Sequence, residues 1–385
     1  VKFDQVYGDF EVGAATLSTY ISRTRDRNLL HVDQKFVEEL AVNALSLYLA
    51  LKRFLKEKQI DIVYNFNGRH GYVRAIMRAA LAMEIDCYNV ERARLGGFLE
   101  FYKNVLPHHI ATKKQLVDAC WENSAESHQK KTTRASSFFE RQRQGESVIF
   151  PSYLKEQARE LLPEGIDNGN ENIVLFNSSD DEFAAMGEDF KNPVFKDQIE
   201  GIKYLVELFG TRFPELNLII RMHPNLAGVK YGYAVNIKEQ HQKYPNIFVV
   251  EPESRIDSYA LLNLAQKVIT FGSTLGLEAT FIGKPSILLG KCFYYFSEVA
   301  YTPQDKMEIE ALLRSEIPPK PLENALRFGY FYLKGGEKAK YYYEEKMGEG
   351  VYFKGKRIHT YNLLQRMTSK FIERAYDLFG IRLKW

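Results

Sequence analysis

Between residues 171 and 290, short uninterrupted apolar runs alternate with longer stretches whose apolar positions recur at helical spacing. "ENIVLFNSS", "NLIIRMHP", "NIFVVEP", "KVITF" and "PSILLG" predict strands. "VFKDQIEGIKYLVELFGTRF", a polar stretch around 235–244, "SYALLNLAQ" and "TLGLEATFIG" predict the helices between them. The strand runs are apolar throughout rather than alternating, which is the pattern of a parallel sheet covered on both faces. This is the sequence of an α/β, Rossmann-like domain, which binds ligands beyond the carboxyl ends of its strands.

The first half follows the same alternation more thinly. An amphipathic helix over about 34–58 leads into the strand "IDIVYNFN" (60–67). A helix "GYVRAIMRAALAMEI", a strand "DCYNVE" and a helix at 113–121 follow. Two clear strands are fewer than a complete Rossmann-like half carries. Because the chain opens on Val1 rather than Met, the expectation is that earlier strands lie upstream and that the chain is part of a longer protein. Residues 126–144 are charged and basic-leaning and predict a solvated helix or connector; residues 318–385 predict helices with many aromatics that pack back on the first half. The expected division is 1–165, an incomplete Rossmann-like domain; 166–320, the better-defined Rossmann-like domain; and 321–385, C-terminal helices that pack back toward the first.

A length of 385 residues agrees with two domains. The formal net charge of +3 sets up no field that demands nucleic acid as a partner. Cys87, Cys120 and Cys292 are too far apart in sequence to suggest a disulfide framework or zinc site and suit a reducing compartment. No apolar run is long enough to span a bilayer. A GxGxxG fingerprint, a Walker A loop, a CxxC pair and HExxH are all missing, which argues against NAD chemistry, P-loop hydrolysis and zinc hydrolysis.

Polar groups gather at four of the predicted strand ends in the second half: "NSSDDE" after the first, "RMHPN" after the second, "EPES" after the third and "GST" after the fourth. Gly272, Ser273 and Thr274 open a helix, where unpaired N–H groups and the helix dipole favour an anion such as phosphate. A plain N-cap uses the same residues. Glu278, one turn on, is positioned to hold a sugar diol. Arg221 and His223, the latter fixed by Pro224, stand to meet the same anion. Ser178 and Ser179 precede Asp180, Asp181 and Glu182, which read equally as general acid or base, nucleophile, metal site or helix cap. In the first half, "NFNGRHG" and "NVERARLGG" set Asn67, Arg69, His70, Glu91 and Arg92 on the acceptor side, with Glu91 as the candidate base.

Together "RMHPN" and "DSYALLNLAQKVITFGSTLGLEATFIGKPSILLG" resemble the C-terminal nucleotide-sugar domain of GT-B glycosyltransferases, in particular bacterial capsule and lipopolysaccharide biosynthesis enzymes. That group includes transferases of CMP-activated Kdo, and its motifs are similar to those of bacterial sialyltransferases and teichoic-acid glycerophosphotransferases. The resemblance implies two Rossmann-like domains with the active site in the cleft between them. His223-Pro224 and Ser273-Thr274 would bind the cytidine nucleotide's phosphate, and Glu278 the ribose or base edge. It implies no cofactor and no metal, a CMP-linked nucleotide-sugar co-substrate, and a glycan or glycolipid acceptor. The implied place is the bacterial cytoplasm, at the inner membrane face, with peripheral membrane contact. The sialyltransferase acidic motif ends in glycine, and "SSDDEF" has none. The rival expectations are a nucleotide-sugar 2-epimerase, a CDP-glycerol glycerophosphotransferase and a non-catalytic nucleotide-binding module. Whether configuration inverts or is retained stays open.

Overall fold

The computed structural model describes residues 1–24, 29, 32–146, 157–166, 169–179, 186–228, 237–239, 243–346 and 349–358, with backbone alone for 188, 344–346 and 349. The sequence expectations for Asp180, Asp181 and Glu182, for most of 235–244 and for 359–385 lie outside these residues.

The second half is built on five parallel strands. Glu171–Phe176 (β4) lies at the centre, followed on one side by Leu216–Arg221 (β5) and Ile247–Val250 (β6), and on the other by Lys267–Thr270 (β7) and Ser286–Leu288 (β8). Chain direction across the sheet therefore reverses between β4 and β7, the switch point where such sheets open a crevice. Side chains alternate between two fully buried faces. Ile173 and Leu175 enter a cluster with Ile202, Leu205 and Phe209 of helix Gln198–Arg212 and Ile309 and Leu313 of helix Lys306–Arg314. Val174 and Phe176 enter the opposite cluster with Leu261 and Leu262 of helix Ser258–Leu264 and Ala279 of helix Leu275–Phe281. Burial on both faces is why these strands carry no alternation in sequence.

The first half holds a smaller, mixed sheet. Ile62–Phe66 (β1) and Asp86–Arg92 (β2) are parallel, but Phe98–Lys103 (β3) turns back antiparallel to β2, and a two-residue strand, Glu337–Lys338, closes the order. The sequence reading missed β3 because "FLEFYK" interrupts its apolar run with Glu100, which is buried and paired with Lys113 at 2.5 Å.

Helices Ile110–Glu122 and His128–Arg143 join the halves by packing on helix Leu322–Lys334. Val117 and Phe139 share one cluster with Leu277, Leu288 and Phe328, and the Phe139 ring stacks on Phe281 at 4.4 Å. The stretch 126–144 is thus not merely solvated: its charges face out while Ala135 and Phe139 are buried. Gly329 permits the crossing, since a Cβ there would stand 2.6 Å from the Ala135 carbonyl oxygen. Beyond this helix, the expectation of helix fails over the described residues up to 358. Tyr342–Lys346, Glu349–Phe353 and Lys356–Arg357 form an antiparallel sheet, where the tyrosines favour strand over helix and Gly355, at φ +74°, turns the second strand into the third.

Candidate functional site

The site is assembled at the carboxyl edge of the five-stranded sheet. After β4, the buried Asn177 accepts the backbone N–H of His223 through Oδ1 at 2.6 Å, which fastens the ends of β4 and β5 together. Ser178 donates its N–H to Gln198 Oε1 at 3.2 Å and accepts Gln198 Nε2 on its carbonyl at 3.0 Å. Its backbone is therefore satisfied, while its buried hydroxyl has no partner among the described residues. Ser179 is buried beside it. A buried hydroxyl without a partner is uncommon and calls for a ligand or water.

Arg221, the last residue of β5, is buried, and its guanidinium donates to the Ser258 hydroxyl at 3.3 Å and to the carbonyls of Glu251 at 2.5 Å and Ser254 at 3.5 Å. It draws the 251–258 loop onto the strand. All of these acceptors are neutral, and burial lowers its pKa to about 10, which leaves it charged at neutral pH. The carboxylates nearby are engaged elsewhere, Glu251 with Lys238 at 2.9 Å. Among the described residues, no carboxylate pairs with this positive charge behind the strand ends.

His223 precedes the short 3-10 turn Pro224–Leu226, and its Nδ1 accepts the N–H of Asn225 at 3.1 Å. An accepting Nδ1 holds the ring proton of the neutral imidazole on Nε2.

After β7, Gly272 takes φ +139°, a conformation open to glycine, and the chain enters helix Leu275–Phe281. The helix is seven residues long, shorter than the sequence pattern suggests. Ser273 Oγ accepts the N–H of Leu275 at 3.3 Å, the ordinary capping contact. The Ser273 carbonyl accepts Tyr294 Oη at 2.7 Å. Gly276 makes room for that tyrosine, because a Cβ would lie 2.5 Å from its hydroxyl. Among the described residues, the N–H groups of Gly272, Ser273 and Thr274 meet no acceptor. Thr274 makes no side-chain cap bond.

Glu278 is buried rather than displayed on an exposed helix face. Tyr259 Oη donates to its Oε2 at 2.6 Å. Burial raises its pKa to about 7, opposed by the Tyr259 bond and by the charges of Arg94 and Arg143. Arg94, from the β2–β3 turn of the first half, also lies over the Tyr332 ring at 4.4 Å. Glu278 therefore sits where the halves meet.

On the first half, Asn67 Nδ2 donates to Glu91 Oε2 at 2.6 Å, and Asn67 Oδ1 accepts the N–H of Arg69 at 3.1 Å. Glu91 Oε1 accepts the N–H of Arg92 at 3.0 Å. Arg69 is buried, with Nε on the Ser18 hydroxyl at 3.0 Å, and this face of the guanidinium is spent on helix Val12–Thr24. His70 begins helix Gly71–Leu81 with a buried Nδ1 that has no partner, and burial together with Arg69 and Arg74 lowers its pKa to about 4.

Four residues here escaped the sequence reading. His108 has a second unpartnered buried Nδ1, and its pKa is pushed by burial to about 3. His109 Nε2 lies 3.9 Å from Asp189 Oδ2 of the second half. The dipeptide after Pro107, at the mouth of a helix, was the available signal. Arg94 and Tyr259 had none, since only the tertiary fold brings them to Glu278.

Residues 179–326 match the family model described as capsule polysaccharide biosynthesis protein. No curated protein matches the chain by sequence. Among solved structures, the chain is similar to the beta Kdo 2,4 transferase KpsC of Thermosulfurimonas dismutans, with 15% identity, 70% of this chain and 78% of that one covered, and a TM-score of 0.43. It is also similar to the beta Kdo 2,7 transferase KpsC of the same organism (16% identity, 75% and 86% covered, TM-score 0.41). A third likeness is the UDP-GlcNAc 2-epimerase of Methanocaldococcus jannaschii (13% identity, 82% and 94% covered, TM-score 0.33). Over residues 179–326 the chain thus carries the sequence signature of the capsule polysaccharide biosynthesis proteins, the family that its His-Pro and Gly-Ser-Thr motifs resemble.

Proposed function

We propose that the chain is a GT-B-type glycosyltransferase that moves a sugar from a nucleotide donor to a hydroxyl of a bacterial surface polysaccharide or glycolipid, with CMP-Kdo as the donor to test first. One observation carries the reading. At the switch point of the parallel sheet, three N–H groups and an arginine that meet no acceptor and no carboxylate, respectively, among the described residues share one edge with a histidine whose Nδ1 accepts a backbone N–H. The family match spans His223 and the 272–278 segment, which supports the same assignment.

In this reading the 272–274 backbone and His223 Nε2–H bind the phosphate that leaves, and Arg221 stabilises its charge from behind. Such fixed donors stabilise developing charge without reorganisation. The bond between the anomeric carbon and the phosphate oxygen breaks, and the nucleotide keeps the electron pair. The acceptor oxygen bonds to that carbon, and its proton passes to a carboxylate. Glu91, oriented by Asn67 and the Arg92 N–H, is one candidate base; Asp180 and Asp181 are the others. If configuration is retained, one of these carboxylates attacks first as nucleophile. Helix termini and His/Arg groups take the neutralising role without a metal in this proposal. The reaction belongs at the cytoplasmic face of the inner membrane; no helix among the described residues is long and apolar enough to cross one.

The test is release of CMP from CMP-Kdo by the wild-type chain with and without a capsule oligosaccharide acceptor. Acceptor-dependent release, lost in His223→Ala, is expected. Release of an altered free sugar from a nucleotide sugar without acceptor would instead indicate an epimerase, and turnover of CDP-glycerol alone a glycerophosphotransferase. CMP binding without any turnover would leave a non-catalytic module.

A further inference from the structure

The C-terminal antiparallel sheet encloses a groove of 760 Å³ against the 95–98 turn of the first half. This segment, helical by sequence expectation and strand in the fold, takes no part in the proposed transfer. Tyr341 and Tyr343 on its walls are 48% and 51% exposed, and Tyr352 lies beside Tyr343 with ring centroids 6.2 Å apart. Tyr343 lies against the 95–98 turn at Gly97, where a Cβ would stand 3.1 Å from its ring. The ammonium groups of Lys340 and Lys354 both face the Tyr341 ring, at 5.1 and 5.3 Å. Lys338 lines the same groove from the short edge strand. All three lysines are exposed, and none of the ion pairs among the described side chains involves them.

Exposed tyrosine rings offer flat apolar faces with a hydroxyl at the rim, which suits the mixed apolar and polar faces of sugar rings. The three exposed lysines supply positive charge for carboxylates or phosphates carried on such rings. We infer that this groove binds an anionic glycan chain, as an extended subsite for a growing polysaccharide acceptor. The acceptor role rests on the glycosyltransferase reading; the binding of an anionic glycan does not. A membrane surface shares the basic-aromatic chemistry, but a groove walled by the 95–98 turn on one side and the C-terminal strands on the other favours a chain that lies along it.

Calorimetric titration of the whole chain with an oligogalacturonate, whose every ring carries a carboxylate, tests this. A neutral malto-oligosaccharide of equal length is the control. Binding of the first and not the second is expected, weakened about tenfold by Lys340→Gln/Lys354→Gln and to a similar degree by Tyr343→Ala. The CMP-induced rise in melting temperature is expected to stay unchanged in both variants, which also shows that they fold. No binding of oligogalacturonate, or binding that neither variant weakens, overturns the inference. Binding of phosphatidylserine vesicles that both variants abolish, with no uptake of oligogalacturonate, assigns the surface to membrane and overturns it as well. If oligogalacturonate binds through the groove but none of CMP, CDP, UMP, UDP, GDP and ADP stabilises the wild type, the groove stands and the transferase reading falls.

Discussion

Glu278 gives the sharpest physical test of the domain junction. Its folded pKa, about 7, lies above the ordinary 4.5 because burial penalises the carboxylate. Between these values the folded state holds a proton that the unfolded state has released. Stability from this group is therefore full at or below pH 4.5 and declines as pH rises through 7. At ~1.4 kcal/mol per pKa unit, the loss by pH 8 is about 3 kcal/mol. Glu278→Gln keeps an acceptor for Tyr259 Oη but removes the charge. The two proteins should therefore match in urea midpoint near pH 5 and diverge as pH rises, the variant becoming the more stable by up to about 3 kcal/mol at pH 8. Comparing the pair at each pH cancels every other titrating group. Denaturation curves that stay offset by a constant amount from pH 5 to 8 would refute the reasoning, since Glu278 would then titrate as a solvated carboxylate.

Two further outcomes follow from packing and from the histidines. Gly329→Ala should lower the urea midpoint, by about 1–3 kcal/mol less the helix-propensity gain of alanine, because its Cβ would press on the Ala135 carbonyl at 2.6 Å; an unchanged midpoint would mean that the two helices can separate freely. For His70 and His108 the folded pKa values lie below 6.5, at about 4 and about 3, so the unfolded chain takes up protons first and stability falls as pH drops below 6.5. The double variant His70→Gln/His108→Gln should show a flatter acid limb in thermal melts from pH 7 to 4, and identical limbs would count against buried neutral imidazoles.

The five-stranded sheet was legible in sequence because its strands are buried on both faces, so each is one apolar run ended by turn residues. The motifs at its carboxyl edge were legible for the same reason, as polar residues stand out where such runs stop. The first sheet was harder. Its strand Phe98–Lys103 carries a buried glutamate whose lysine partner comes from the next helix, and no local pattern reveals that exchange. The helix His128–Arg143 looks solvated by composition, yet Phe139 decides its place. The C-terminal strands were misread because aromatic and charged residues there fit either periodicity, and the pairing that selects strand is long in reach. Glu278 was found by its position after the turn, but its burial and its approach to Arg94 depend on how the halves meet. Arg221 was expected to face the ligand, and the hydrogen bonds seen for its guanidinium go to the neighbouring loop.

The central claim is that the edge formed by His223 and Gly272–Thr274 is a nucleotide site. The most direct measurement is a thermal-shift panel of CMP, CDP, UMP, UDP, GDP and ADP on the wild type and on His223→Ala. A ligand confined to the native state stabilises it by ~2.7 kcal/mol at a hundred times its dissociation constant, enough to move the melting temperature visibly. The account predicts a rise with CMP in the wild type that His223→Ala loses. A preference for UDP or GDP would keep the nucleotide site and remove CMP-Kdo as its donor, and no rise with any nucleotide would contradict the claim and leave residues 272–281 as a capped helix and nothing more.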